Sequence, residues 1–107
     1  MNTVELARLV EGAVEDALRD LEGLLPPGTT IPSGEDTPLL EEGGGPLDSL
    51  GVVNLMVAVE EAVERATGRS ISLMEWLGLG AEEGPFRSRR TLLAGVMELL
   101  HSDGPGA

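Results

Sequence analysis

The side chains best placed to do chemistry in this 107-residue chain stand together at Asp48-Ser49-Leu50, just after the stretch Gly43-Gly44-Gly45-Pro46-Leu47. A serine beside an aspartate, where an apolar-periodic segment begins, has a plain structural use. Either residue can cap a helix, because its side-chain oxygen accepts from a backbone N–H that has no partner within the helix. The same serine hydroxyl can also act as a nucleophile or as a point of covalent attachment. Twelve residues further on, Glu60, Glu61 and Glu64 form a second group on the same segment.

A hydrolytic role for Ser49 is disfavoured. Leu47 occupies the position at which a nucleophile elbow and a Gly-Asp-Ser-Leu hydrolase both carry glycine. The chain has no cysteine and a single histidine, His101, close to its C-terminal end. A serine nucleophile needs a base held against it, and no strand-period segment supplies a scaffold to do so. Metal binding is weaker still. Glu35, Asp36, Glu41 and Glu42 lack the periodic ligands of a calcium loop and read as a solvated acidic edge.

Charge narrows the partners. Seven arginines face nineteen acids, for a net charge of −12. Nucleic acid and anionic membrane surfaces both attract basic proteins and are excluded as partners on that ground. Only two aromatic residues, Trp76 and Phe86, are present, too few for a base-stacking platform. The acidity is uneven. Residues 1–68 hold fourteen acids against three bases, and residues 69–107 hold five against four. A local field of one sign steers oppositely charged partners. No transmembrane or export segment is legible, so a cytoplasmic protein is expected.

Three main helices must position the candidate site. Val4, Ala7, Val10, Val14, Ala17, Leu18 and Leu21 recur at helical spacing and predict a helix over 3–25, with Asn2 and Glu5 as a capping box. Residues 26–47, with five prolines and the Gly43–Gly45 run, predict a long first loop pinned by Leu39 and Leu40. The second helix is expected over 49–66, ending at Gly68. On it, Val52, Leu55, Met56, Val59, Ala62 and Val63 share one face, the core face. Leu50, Val53, Val57, Glu60, Glu61 and Glu64 share another, apolar at its start and acidic at its end. Gly51, Asn54, Ala58 and Arg65 occupy a third, bland side. An apolar group that the core cannot also use, rimmed by charge, suggests a partner surface. Ile71 and Leu73 then anchor a loop, and 73–78 is expected to form a short helical turn with Trp76 inward. Gly78, Gly80, Gly84 and Pro85 make a loose stretch. The last helix is expected over 88–101, with Leu92, Leu93, Val96, Leu99 and Leu100 toward the core, followed by a tail at 102–107. The expected architecture is all-α: one domain over 1–101, three main helices and a short one.

Asp48-Ser49-Leu50 at a helix start, followed by Val53, Leu55 and Glu60-Glu61, resembles the prosthetic-group site of the acyl carrier protein family. The resemblance spans roughly residues 3–100. It includes the preceding helix, the long loop with Thr37-Pro38-Leu39-Leu40, the loop holding Ile71 and the final helix. It implies an acyl-carrier-like bundle in which Ser49 receives 4′-phosphopantetheine from coenzyme A through a separate phosphopantetheinyl transferase. The thiol of that arm would carry acyl groups as thioesters, which accords with a chain that has no sulfhydryl of its own. The protein would then be a carrier and a transferase substrate, not an enzyme.

Asp48 would cap the helix and present the serine. Leu50, Val53 and Val57 with Glu60, Glu61 and Glu64 would dock on acyl-loading and acyl-processing enzymes with basic patches. Many fatty acid synthesis carriers place acids two and five residues after the serine. Gly51 and Asn54 stand there in this chain, which points to a specialised carrier instead of a primary fatty acid synthesis one. A monomer is expected. The competing reading is a carrier-like helical bundle that is never loaded and serves as an interaction or regulatory subunit.

Overall fold

The computed structural model describes residues 2–31, 34–41, 44–73, 76 and 84–102, the side chain of Ser102 excepted. Within them the chain forms three α-helices, α1 (Thr3–Glu22), α2 (Ser49–Thr67) and α3 (Arg89–Ser102), and a 3-10 helix at Pro85–Arg87. No strand occurs among the described residues. Two isolated bridges, Pro38 with Ser88 and Leu40 with Leu47, tie the connections to one another.

The helix α1 begins where Asn2 caps it, its side-chain oxygen accepting from the Glu5 N–H at 2.8 Å. It ends three residues earlier than the apolar spacing predicts. The chain leaves the helix at Gly23 through two tight turns, in which the Leu24 and Leu25 N–H groups donate to Leu21 and Glu22. The buried face is also rotated from the expected one. Leu6 and Ala13 join Val10, Val14, Ala17, Leu18 and Leu21 inside, while Val4 is 63% exposed. Val4 lies in the first turn of α1, where matching periodicity does not by itself bury a side chain.

The ends of α2 follow its sequence signals. Gly68 adopts a left-handed conformation, φ 76°, and its N–H closes on the Glu64 carbonyl. Leu55, Met56, Val59, Ala62 and Val63 are buried against α1, as the core face requires. Val52 is only half-buried, and Gly51, expected on the bland third side, is buried instead. The cause is the loop: the Leu47 side chain folds over Gly51, so that a Cβ there would meet the Leu47 Cδ2 at 3.2 Å.

Loop residues complete the core. Ile31, Leu39, Leu40, Leu47, Ile71 and Leu73 are all buried with the helical residues. Trp76 and Phe86 meet edge to face with ring centroids 5.3 Å apart. Gly95 on α3 admits them, since a Cβ would stand 3.0 Å from the Trp76 ring and 2.9 Å from Pro85. The helical turn expected at 73–78 lies, apart from Leu73 and Trp76, outside the described residues, as do Gly78, Gly80 and the tail beyond Ser102. The stretch expected to be loose contains the 3-10 helix, because Pro85 presets φ for its first position.

Ser88, buried at the start of α3, exchanges bonds with Thr91. Its N–H donates to Thr91 Oγ1 at 2.9 Å and its own Oγ accepts from the Thr91 N–H at 3.3 Å. On the core-facing side, Leu92, Val96 and Leu100 are buried, with Leu93 and Leu99 half-buried beside them.

Arginines lace the elements together. Arg69, just past α2, donates to the Leu100 carbonyl at 2.5 Å, and Arg89 binds Glu15 of α1 through both carboxylate oxygens. Arg90 reaches back to the first loop, donating to Asp36 at 2.7 Å and to Glu35 at 2.9 Å, while its N–H meets the Glu35 carbonyl. The hydrogen bond from Arg90, then its charge, hold the Asp36 carboxyl below the ordinary carboxylate range. A group depressed in this way favours the folded state above its unfolded pKa, about 3.9. That contribution disappears as pH falls through the depressed folded value. In an NMR titration of the side-chain carboxyl carbons, Arg90→Ala is expected to move the Asp36 midpoint upward. An unmoved midpoint would show that the pair does not form in solution.

Candidate functional site

Ser49 is placed by the loop before it. Leu47 is buried and clamped on both sides: its N–H donates to the Leu39 carbonyl at 2.9 Å and its carbonyl accepts from the Glu41 N–H at 2.7 Å. The Gly45 N–H donates to the Leu40 carbonyl at 2.7 Å, which holds Gly45 against residues 39–40. Leu39 is itself held by the Arg87 carbonyl at 3.0 Å. The start of α2 is therefore tied to the segment that enters α3.

The glycines ahead of the serine shape the loop. Gly44 has φ 96°, a conformation that L side chains rarely adopt. A Cβ on Gly45 would stand 2.5 Å from the carbonyl oxygens of both Pro38 and Leu39. The loop can close only with glycine at that point. Gly43 lies outside the described residues.

Asp48, not Ser49, caps α2. Its Oδ1 accepts from the Gly51 N–H at 2.8 Å, and its own carbonyl accepts from Val52 at 2.9 Å. Ser49 is thereby released from capping. It occupies the first position of the helix, is exposed, and its hydroxyl has no hydrogen-bond partner among the described residues. The Ser49 and Leu50 N–H groups likewise meet no acceptor there, so the positive end of the helix dipole faces outward beside the hydroxyl.

The stripe running down from Ser49 is apolar and open. Leu50 is 68% exposed, Val53 42% and Val57 48%. Their spacing of three and four residues sets them in one line. Asn54 is exposed next to them and carries no charge. Glu61 and Glu64 are exposed further along. Glu60 differs from the other two. It is half-buried, and its carboxylate accepts from the Leu73 N–H at 2.8 Å, holding the loop that follows α2. The acidic end of the stripe thus has two open carboxylates and one already engaged.

Other chemistry-bearing side chains lie elsewhere. His101 is exposed in the last turn of α3. A groove of about 390 Å³ between α1 and α3 is lined by Glu11, Glu15, Glu35, Arg89, Arg90 and Leu93. Its arginines are satisfied by its own acids, Arg89 by Glu15 and Arg90 by Glu35, so it offers a ligand little unspent charge. Sequence reading missed this cleft, because residues 15, 35 and 89 have no common spacing that would bring them together. Among the described residues, no group of three or more His, Cys, Asp or Glu side chains could hold a metal ion. Nor is any described helix long and apolar enough to cross a membrane.

Comparison with protein-family models, with curated proteins and with solved structures finds no match for this chain.

Proposed function

We propose that the protein is an acyl carrier that bears 4′-phosphopantetheine on Ser49 and is loaded and unloaded by enzymes docking along α2. One observation carries the reading. The Ser49 hydroxyl is exposed and unbonded at the head of a helix, next to a line of exposed apolar side chains on that helix. A serine kept only as a cap would have its hydroxyl on a backbone N–H, and here Asp48 has that task.

The residues present fit the prosthetic group. The hydroxyl is accessible to a transferase, and the unpaired N–H groups at the start of α2 suit the negative charge of a phosphodiester. Gly51, packed under Leu47, keeps the helix start compact without adding charge. When bound, the arm would supply a thiol that holds acyl groups as thioesters, chemistry this cysteine-free chain has no side chain for. The chain's own contribution is to hold Ser49 at a fixed exposed point, through the Leu47 clamp, and to offer the partner a surface.

That surface is apolar for its first two turns and acidic only beyond them. Each exposed ion pair is worth roughly 0.2–1 kcal/mol. Apolar contact near the serine would therefore supply much of the affinity, and the distal acids mainly orientation. This suits short-lived docking, as a shuttle requires. The neutral Gly51 and Asn54 support a specialised carrier over a primary fatty acid synthesis one.

The test is intact mass after incubation with coenzyme A, Mg²⁺ and a broad-specificity phosphopantetheinyl transferase. A single phosphopantetheine is expected on the native chain and none on Ser49→Ala. Native chain that stays unmodified, while a known carrier in the same reaction is loaded, would favour the unloaded interaction subunit.

A further inference from the structure

Three glycines lie within the helices, and two have an internal reason to be there. Gly51 packs under Leu47, and Gly95 packs under Trp76 and Pro85. Gly12, in the middle of α1, has none: it is exposed, and a Cβ added to it would meet nothing within 4 Å. Glycine in an exposed helix interior is a poor helix former, and alanine there would cost the monomer nothing.

The charges on either side of Gly12 are antisymmetric. Arg8 and Asp16 stand four residues before and after it, and Glu5 and Arg19 stand seven before and after. At 100° per residue all four lie within about 40° of Gly12, and all four are exposed. If a second α1 crosses antiparallel at Gly12, each of these residues meets its opposite. Arg8 faces Asp16 of the other copy and Glu5 faces its Arg19, and two-fold symmetry repeats both pairs. Within each copy Arg19 already donates to Asp16 Oδ1 at 3.0 Å, an exposed pair of little energy that leaves the second Asp16 oxygen open to Arg8. A self-complementary patch is what an isologous interface requires, and a small residue at the crossing lets the two backbones approach closely.

Arg8 supplies a further observation. In a chain with nineteen acids, Arg8 and Arg65 have no ion-pair partner among the described residues. Both line the groove of about 320 Å³ between α1 and α2, together with Gly12, Asp16, Ala62 and Ala66. Because the two cations line one groove, the Asp16 that a second α1 brings to Arg8 also comes near Arg65.

We infer that this face binds a second copy of the chain, through a shallow antiparallel crossing of the two α1 helices centred on Gly12. The interface is small and both copies are strongly acidic, so the dimer is weak and reversible. Gly12 lies beside Ala62, thirteen residues along α2 from Ser49, about 20 Å at 1.5 Å per residue. The dimer therefore leaves the Ser49 end of both copies open, and it forms whether or not Ser49 is ever modified.

Sedimentation velocity of the full chain from about 10 μM to about 1 mM tests this. At about 0.15 M salt the Debye length is about 8 Å, which screens the long-range repulsion. The native chain is expected to pass from monomer to dimer across that range. Arg8→Asp is expected to weaken the dimer at least about tenfold, equivalent to about 1.4 kcal/mol. The double variant Arg8→Asp/Asp16→Arg restores each pair with its signs exchanged and is expected to recover the dimer. Gly12→Leu is expected to abolish the dimer while leaving the melting temperature of the dilute protein equal to or above native, which separates blocked association from misfolding. A native chain that stays monomeric to about 1 mM, a dimer indifferent to Gly12→Leu, or a double variant no better than Arg8→Asp would each overturn the proposal.

Discussion

Leu55→Asp is expected to leave the chain unfolded at 25 °C, whereas Val53→Asp, two residues earlier on the same helix, is expected to fold. Leu55 is fully buried between α2 and α1, and Val53 is 42% exposed. A carboxylate at Leu55 has no cation to meet in that core. It must be desolvated, protonated or expelled, and the cavity left by the leucine adds about 2–5 kcal/mol. A domain of this size has about 5–15 kcal/mol of total stability, so the two costs together exhaust it. At Val53 the aspartate reaches water, and the change in stability is expected to stay within about 1 kcal/mol. Circular dichroism melts of both variants check the assignment of faces. Equal loss in the two would mean that Val53 is covered. Under the proposed carrier function, folded Val53→Asp should also be loaded more slowly by the transferase, because it places a charge in the apolar part of the docking stripe.

Gly45→Ala is the second large effect, and it concerns the loop. The added methyl would collide with the backbone carbonyls of Pro38 and Leu39, and backbone cannot swing aside as a flexible side chain can. Overpacking of this kind costs about 3 kcal/mol at the upper end of its usual range. In a domain near 100 residues that lowers the melting temperature by roughly 12 °C or more. The site should suffer before the fold does. The Leu47 N–H bond to Leu39 is expected to open, so its amide should lose hydrogen-exchange protection, while amides in the centre of α1 keep theirs. If Leu47 stays protected and the melt is unchanged, Gly45 does not pack against Pro38 and Leu39 as described.

The helices were legible from local signals. Asn2 ahead of Glu5, Gly68 after Thr67, and the three- and four-residue spacing on α2 mark elements whose causes lie within a few residues of chain. The exposed line Leu50, Val53, Val57 was readable for the same reason: a helix has one core, and a second apolar stripe cannot also face it. Asp48-Ser49 was legible as a site, but the division of labour within it was not, because either side chain can cap and only the loop geometry selects Asp48.

The role of Gly45 depends on Pro38 and Leu39, seven and six residues away, and the burial of Gly51 depends on how Leu47 folds back. Glu60 shares its face with Glu61 and Glu64 by spacing, yet the Leu73 N–H, thirteen residues on, claims its carboxylate. By itself, then, the sequence determined three amphipathic helices, the Asn2 and Gly68 caps and an unclaimed stripe beside a serine, since periodicity and capping act over one or two turns. Tertiary structure alone decided which glycine admits a neighbouring backbone, which carboxylate is already bonded and which hydroxyl is left free. Those outcomes depend on contacts between segments that no local spacing encodes.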